Sequence, residues 1–225
     1  MKKIGLLVAC ETEAIFAYYK DAQKLDAPAG FGLWLCQKPN CELYILHCGM
    51  GLVVAAAGTQ YLITGCGVST VVNFGVVGGL TGDMRKHKVV AVEKVIHYRY
   101  DATEFLPLAL GQVAEHESRD LYCTPDLFAK ALTFNSELTP AVCASGDKFV
   151  AKESDKLATA ETFGATICDM ESAGIVLTCE ANATPCLLLK AVSDGLADGA
   201  KGFWNELLDA SLLCLKVADS IIETL

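Results

Sequence analysis

Three acids stand where an α/β chain keeps its working groups. Glu13 follows the apolar run Ile4 to Ala9. Glu171 falls in Cys168-Asp169-Met170-Glu171-Ser172, between a short predicted strand and a helix, and Asp194 closes the run Cys186 to Ser193. Each lies at the carboxyl end of a predicted buried strand. In open α/β sheets the loops at that edge form the ligand crevice, and helix N-termini face it. Carboxylates gathered there suit proton transfer or the gripping of a polyhydroxylated ligand. Read alone, each acid is equally well a helix N-cap or a first-turn acid. Three on one edge are harder to explain that way.

The elements that must position these acids alternate between short β-rich runs and longer helical stretches. Strands are expected over Lys3 to Ala9, Gly32 to Gln37, Glu42 to Cys48, Thr70 to Asn73, Val89 to Val95, Thr139 to Ala144, Thr166 to Cys168 and Pro185 to Val192. Helices are expected over Glu13 to Asp21, Val53 to Gly65, Pro125 to Leu132, Ser154 to Phe163, Ser172 to Asn182 and Phe203 to Thr224. Near-continuous apolar strands joined by helices imply a sheet covered on both faces. The hairpin-like pair near residues 32 to 48 makes that sheet mixed. The 225 residues read as one α/β domain with no internal repeat or linker, and Tyr98 to Asp120 reads as a long surface loop.

Composition narrows the function classes. A formal charge of −9 and only three arginines, Arg85, Arg99 and Arg119, argue against a phosphate-tracking nucleic-acid surface. No apolar stretch reaches membrane-spanning length, and no signal arrangement opens the chain, so a cytoplasmic protein is expected. The eleven cysteines are odd in number and most lie in apolar runs, which fits reduced core thiols. Four scattered histidines and the lack of any CxxC pair predict neither a metal site nor a cofactor that would need one. The glycine-rich segments Gly49-Met50-Gly51 and Asn73-Phe74-Gly75-Val76-Val77-Gly78-Gly79 fit neither GxGxxG nor GxxxxGK[ST]. Both nevertheless fall on the edge that carries the acids, where glycine lets backbone N–H groups approach a ligand.

Taken in order, Ala9-Cys10-Glu11-Thr12-Glu13, Gly49-Met50-Gly51, Asn73 to Leu80, Ser145-Gly146-Asp147-Lys148-Phe149-Val150, Asp169-Met170-Glu171 and Lys190-Ala191-Val192-Ser193-Asp194 resemble the nucleoside phosphorylase and nucleosidase superfamily. Their spacing is most similar to the 5′-methylthioadenosine/S-adenosylhomocysteine nucleosidases. The resemblance implies a three-layer αβα sandwich around a mixed sheet, a homodimer, and hydrolysis of an N-ribosidic bond without a cofactor. It assigns protonation of purine N7 to Asp194, the ribose hydroxyls to Glu171 and the attacking water to Glu13. Met170 would pack on sugar and base, Phe149 would stack on the purine, the Val150 backbone would read its edge, and Phe203 would cover the 5′ side. Met50, Gly75 and Ser193 complete the expected substrate-lining set.

The chemistry asks for these residue types. An adenine anion leaves poorly, so the bond breaks readily only when the ring is protonated by a well-placed acid. The ribose then gains oxocarbenium character, which a carboxylate on its hydroxyls stabilises in a dry site. Two departures from the family pattern stand out: Lys190 replaces an arginine four residues before Asp194, and Val76 replaces a hydroxyl residue. Three rivals share the fold. A futalosine-type hydrolase would use the same core residues, and a storage relative would have no chemical need for three acids. A phosphorylase would need arginines near Gly49 or Gly75, where none occurs.

Overall fold

The computed structural model describes residues 1–225. Its sixteen elements are β1 (Lys2–Val8), α1 (Thr12–Tyr18), β2 (Gln23–Leu25), β3 (Gly32–Gln37), β4 (Cys41–His47), α2 (Leu52–Thr64), β5 (Thr70–Gly79), β6 (Val89–Ile96), β7 (Leu121–Tyr122), α3 (Pro125–Phe134), β8 (Thr139–Ser145), α4 (Glu153–Phe163), β9 (Ile167–Asp169), α5 (Ser172–Ala181), β10 (Cys186–Asp194) and α6 (Gly199–Ile222). All ten strands join one mixed sheet in the order β10-β6-β8-β9-β5-β1-β4-β3-β2, with β7 on the side of β6. Because β10 also pairs with β5, the strands β10, β6, β8, β9 and β5 close on themselves. The carboxyl ends of β1, β5, β9 and β10 are thereby drawn together.

The sequence of β1 shows why the sheet lies inside. Residues Ile4 to Val8 are buried without alternation, as a parallel strand covered on both faces requires. Leu7 faces one core with α2 and α5, whereas Ile4, Leu6 and Val8 face the other with α1 and α6. Two apolar layers therefore flank the sheet, the αβα arrangement. The eleven cysteines are all free thiols, nine of them buried.

The structure departs from the sequence expectation at the end of β5, at the start of α6 and in two short added strands. β5 does not end at Asn73 but runs through Gly79, because β10 and β9 pair with its second half. Its glycines serve close approach rather than a turn. A Cβ on Gly79 would lie 2.5 Å from the Met84 carbonyl oxygen, and one on Gly75 only 3.0 Å from Glu11 Oε1. α6 starts at Gly199, so Phe203 lies inside the helix rather than at its start. The strands β2 and β7 have three and two residues, too short to leave a period in the sequence.

Candidate active site

At the carboxyl edge a small cavity of about 60 Å³ opens between the ends of β1, β5 and β9. Glu11, Glu171, Met170, Met50, Phe149 and Phe203 line it. Phe149 and Phe203 meet edge to face across it, with ring centroids 5.5 Å apart. A bigger cavity of about 500 Å³ lies near the start of β10, beside Cys186, Pro185 and Cys179. It has none of the buried acids of the carboxyl edge, so we locate the site in the smaller one.

Glu13 is not in this cavity. α1 begins at Thr12, which turns Glu13 outward in its first turn, where it is exposed. Glu11, one residue ahead of the helix, turns its side chain back over the end of β1 and is buried. Its Oε2 accepts the backbone N–H groups of Cys10 at 2.9 Å and Ala9 at 3.2 Å, while Oε1 accepts that of Val76 at 3.0 Å. Three backbone donors, two just past the end of β1 and one from within β5, thus converge on one carboxylate, an anion nest filled from within the chain. The sequence motif contained both acids; only the start of the helix separates them.

Glu171 stands at the head of α5 with its carboxylate buried. Oε1 accepts the Gly51 N–H at 2.8 Å, and Oε2 accepts its neighbour Met170 N–H at 3.3 Å. The adjacent Leu52 N–H donates to Asp147 Oδ1 at 2.8 Å, so two acids occupy the N-terminus of α2. Burial, and then the nearby charge of Asp169, push Glu171 up to about 7. Glu171 therefore exchanges a proton near neutrality.

Asp194 ends β10 almost wholly buried and stands just behind the cavity wall. The cavity reaches it at Gly78, where a Cβ would stand 3.1 Å from Cys168 Sγ, 3.3 Å from Asp194 Oδ2 and 3.6 Å from Lys156 Nζ. The missing side chain leaves that approach open. The Ser193 hydroxyl donates to Asp194 Oδ1 at 3.0 Å, and Lys156 Nζ lies 2.5 Å from Oδ2. Ser193 and Val150 are themselves buried and absent from the lining, and Gly75 lies under Glu11. Ser193 thus acts on Asp194, and Val150 packs with Leu80, Ile96 and Tyr98.

Sequence reasoning passed over three residues here. Glu11 was hidden by the helix boundary. Asp169 makes a buried ion pair with Lys190 at 2.9 Å. Burial alone would raise Asp169, but Lys190 and the hydroxyls of Ser172 and Ser145 outweigh it and hold the carboxyl below its ordinary range. Burial likewise opposes the charge on Lys190, yet Asp169 and Glu171 raise it. Lys156, fully buried on α4, left no signal, because a lysine in a polar helix reads as solvated.

Comparison with known proteins places this geometry. A model of the phosphorylase superfamily matches residues 3–225. The 5′-methylthioadenosine/S-adenosylhomocysteine nucleosidase of Hydrogenovibrio crunogenus is 31% identical over 199 residues, 85% of each chain. The aminodeoxyfutalosine nucleosidase of Campylobacter jejuni is 27% identical, covering 92% of this chain and 91% of its own. Among solved structures, the Helicobacter pylori 5′-methylthioadenosine/S-adenosylhomocysteine nucleosidase superposes with a TM-score of 0.93 at 25% identity, covering 100% of this chain and 99% of that one.

Proposed function

The chain belongs to the phosphorylase superfamily, and within it we propose that this protein is a nucleosidase that hydrolyses the N-ribosidic bond of a 5′-substituted adenine nucleoside, 5′-methylthioadenosine or S-adenosylhomocysteine. The observation that carries hydrolysis over phosphorolysis is the filled nest. A phosphate needs backbone and cationic donors. Here the N–H groups of Ala9, Cys10 and Val76 already hold the Glu11 carboxylate, and Glu171 and Asp147 hold the head of α2. A second anion at either place would meet like charge. Water meets instead an acceptor able to orient it and take its proton.

In this reading Asp194 protonates N7 through the gap at Gly78, Glu171 accepts the ribose hydroxyls, and Glu11 takes the role that the sequence motif assigned to Glu13. Phe149, Phe203, Met50 and Met170 enclose base and 5′ group, which excludes water other than the one at Glu11. The Campylobacter relative supports an aminodeoxyfutalosine as a second substrate, since the acids would act on the same bond.

Base release from 5′-methylthioadenosine, with and without phosphate, tests the proposal. Equal rates and free ribose products are expected, with Glu11→Gln lowering turnover about 10²-fold or more and Glu13→Gln leaving it within about twofold, as for an exposed surface site. Strict phosphate dependence would defeat hydrolysis, and a disabling Glu13→Gln would return the water to that residue.

The enzyme is a cytoplasmic homodimer in this reading. Eleven free thiols support a reducing compartment. Support for pairing comes from Phe105, Leu110, Met50 and Val53, large apolar residues left exposed in one chain, two of them at the head of α2 beside the cavity. Light scattering on Phe105→Ser/Leu108→Ser, expected to show monomers of reduced activity, checks this; a fully active wild-type monomer would refute it.

A further inference from the structure

Asp194 has a partner that its task does not obviously want. Lys156 reaches from α4 to the end of β10, where Nζ lies 2.5 Å from Asp194 Oδ2, 2.6 Å from the Gly195 carbonyl oxygen and 3.5 Å from the Asp194 carbonyl oxygen. Neither side chain of the pair meets solvent, at 0% and 1% exposure. An aspartate beside an ammonium is a carboxylate, and a carboxylate and a purine N7 are both acceptors. An acid must carry its proton somewhere. Here it is on the lysine.

We propose that the general acid of this site is the Lys156–Asp194 pair, with Lys156 storing the proton that Asp194 hands to the leaving base. The inference rests on the nucleosidase reading above. Other groups facing Asp194 are poorer stores. Ser193 offers an alcohol proton to Oδ1 at 3.0 Å. Cys168 on β9 is pushed up to about 12 by burial and holds no net charge to give up. Asp169 is bound to Lys190, and Asp198 at the head of α6 accepts the Gly195 N–H at 2.8 Å. Lys156 Nζ is held against Asp194 Oδ2 away from solvent, so the carboxylate that would meet N7 is the side-chain acceptor within its reach. The pair lies directly behind Gly78, where a Cβ would stand 3.3 Å from Oδ2 and 3.6 Å from Nζ, so the carboxylate is the nearer of the two to the cavity side.

The proton passes from Lys156 Nζ to Asp194 Oδ2 and on to N7 as the C1′–N9 bond breaks and its electron pair moves to the base. Water oxygen bonds to C1′ and yields one proton to Glu11. Solvent exchange after product release discharges Glu11 and recharges Lys156, so the net change is addition of one water. Lys156 touches no substrate and acts only through Asp194.

Two 5′-methylthioribosides separate this from a packing role, one carrying adenine and one carrying p-nitrophenolate, which leaves without a proton. Lys156→Met should lower kcat for adenine release about 10²-fold, the low end of general acid contributions, with KM little changed and p-nitrophenolate release within about threefold of wild type. Lys156→Arg keeps the charge but cannot deprotonate, and should stay slow on adenine. Should the methionine variant fail to fold, Lys156→Gln, which can still donate to the Gly195 carbonyl, carries the same expectation. Recovery of adenine release by arginine, or equal losses on both leaving groups, would overturn the proposal. Wild-type protein that releases neither group would instead refute the nucleosidase reading.

Discussion

Two buried lysine–aspartate pairs stand beside one cavity and are built differently. In the pair Lys190–Asp169 both carboxylate oxygens are fully engaged: Oδ2 takes Lys190 at 2.9 Å and the Ser172 hydroxyl, and Oδ1 takes the N–H groups of Ser172 at 3.2 Å and Glu171 at 3.4 Å. Asp194 has only Lys156 on Oδ2 and the Ser193 hydroxyl on Oδ1, which leaves acceptor capacity on both oxygens, and Oδ2 lies directly behind Gly78. A carboxylate with every lone pair used fixes the backbone, here the β9–α5 turn against β10. One with capacity left over can still exchange a proton. Ion pairing alone does not separate scaffold from chemistry; the count of unused acceptors does.

The sharpest way to break this comparison is to neutralise each aspartate in turn. On the proposed mechanism Asp194→Asn should cost about 10² to 10⁴ in turnover while substrate still binds, because an amide there would hydrogen-bond N7 without delivering a proton. Asp169→Asn should act mainly on folding. It leaves Lys190 buried opposite an amide, and removal of one member of a buried pair costs about 3–5 kcal/mol. Lys156 keeps the Gly195 carbonyl at 2.6 Å when Asp194 is neutralised, so that variant should lose less stability. Urea unfolding alongside kinetics checks both. If Asp169→Asn were the less active and Asp194→Asn the less stable, the roles would have to be exchanged.

Much of this was legible in the sequence and some of it was not, for local reasons. The layered α/β architecture follows from unbroken apolar strands such as Ile4 to Val8, and the positions of Glu171 and Asp194 follow from strand ends that the apolar runs mark clearly. Glu11 and Glu13 differ by two residues at a helix start that has no side-chain cap to announce it. Boundaries of that kind are set in part by tertiary contacts, here the Val76 N–H from β5, which joins the neighbouring N–H groups of Ala9 and Cys10 in drawing Glu11 inward. β5 looked like a strand followed by a glycine turn, because glycine marks both turns and close approach; only the neighbours of Gly75, Gly78 and Gly79 tell them apart. The lysine pairs were illegible for a different reason. Charges are read as surface, and the exceptions are defined by partners distant in sequence, 38 residues away for Lys156 and Asp194.

The smallest effect follows from Glu171, which borders the fully engaged pair. Its carboxyl sits at about 7 in the fold against an ordinary 4.5, raised by burial first and by Asp169 second. A carboxyl raised on folding binds more protons in the native state than in the unfolded one between those two values. Its stabilising contribution is therefore complete below about 4.5 and is lost as pH rises to about 7. Over that span wild type should lose on the order of 3 kcal/mol relative to Glu171→Gln, at 1.36 kcal/mol per pKa unit, and the difference should level off above it. Asp169 supplies part of the elevation, so Asp169→Asn should bring Glu171 down and flatten the same curve. Unfolding midpoints of the four proteins of this double-mutant cycle, taken at intervals from pH 4.5 to 8, measure both statements. A wild-type curve parallel to that of Glu171→Gln would mean that Glu171 titrates as an ordinary exposed carboxyl. Persistence of the full slope in Asp169→Asn would mean that burial alone raises it, and that Asp169 is screened from Glu171 by Lys190.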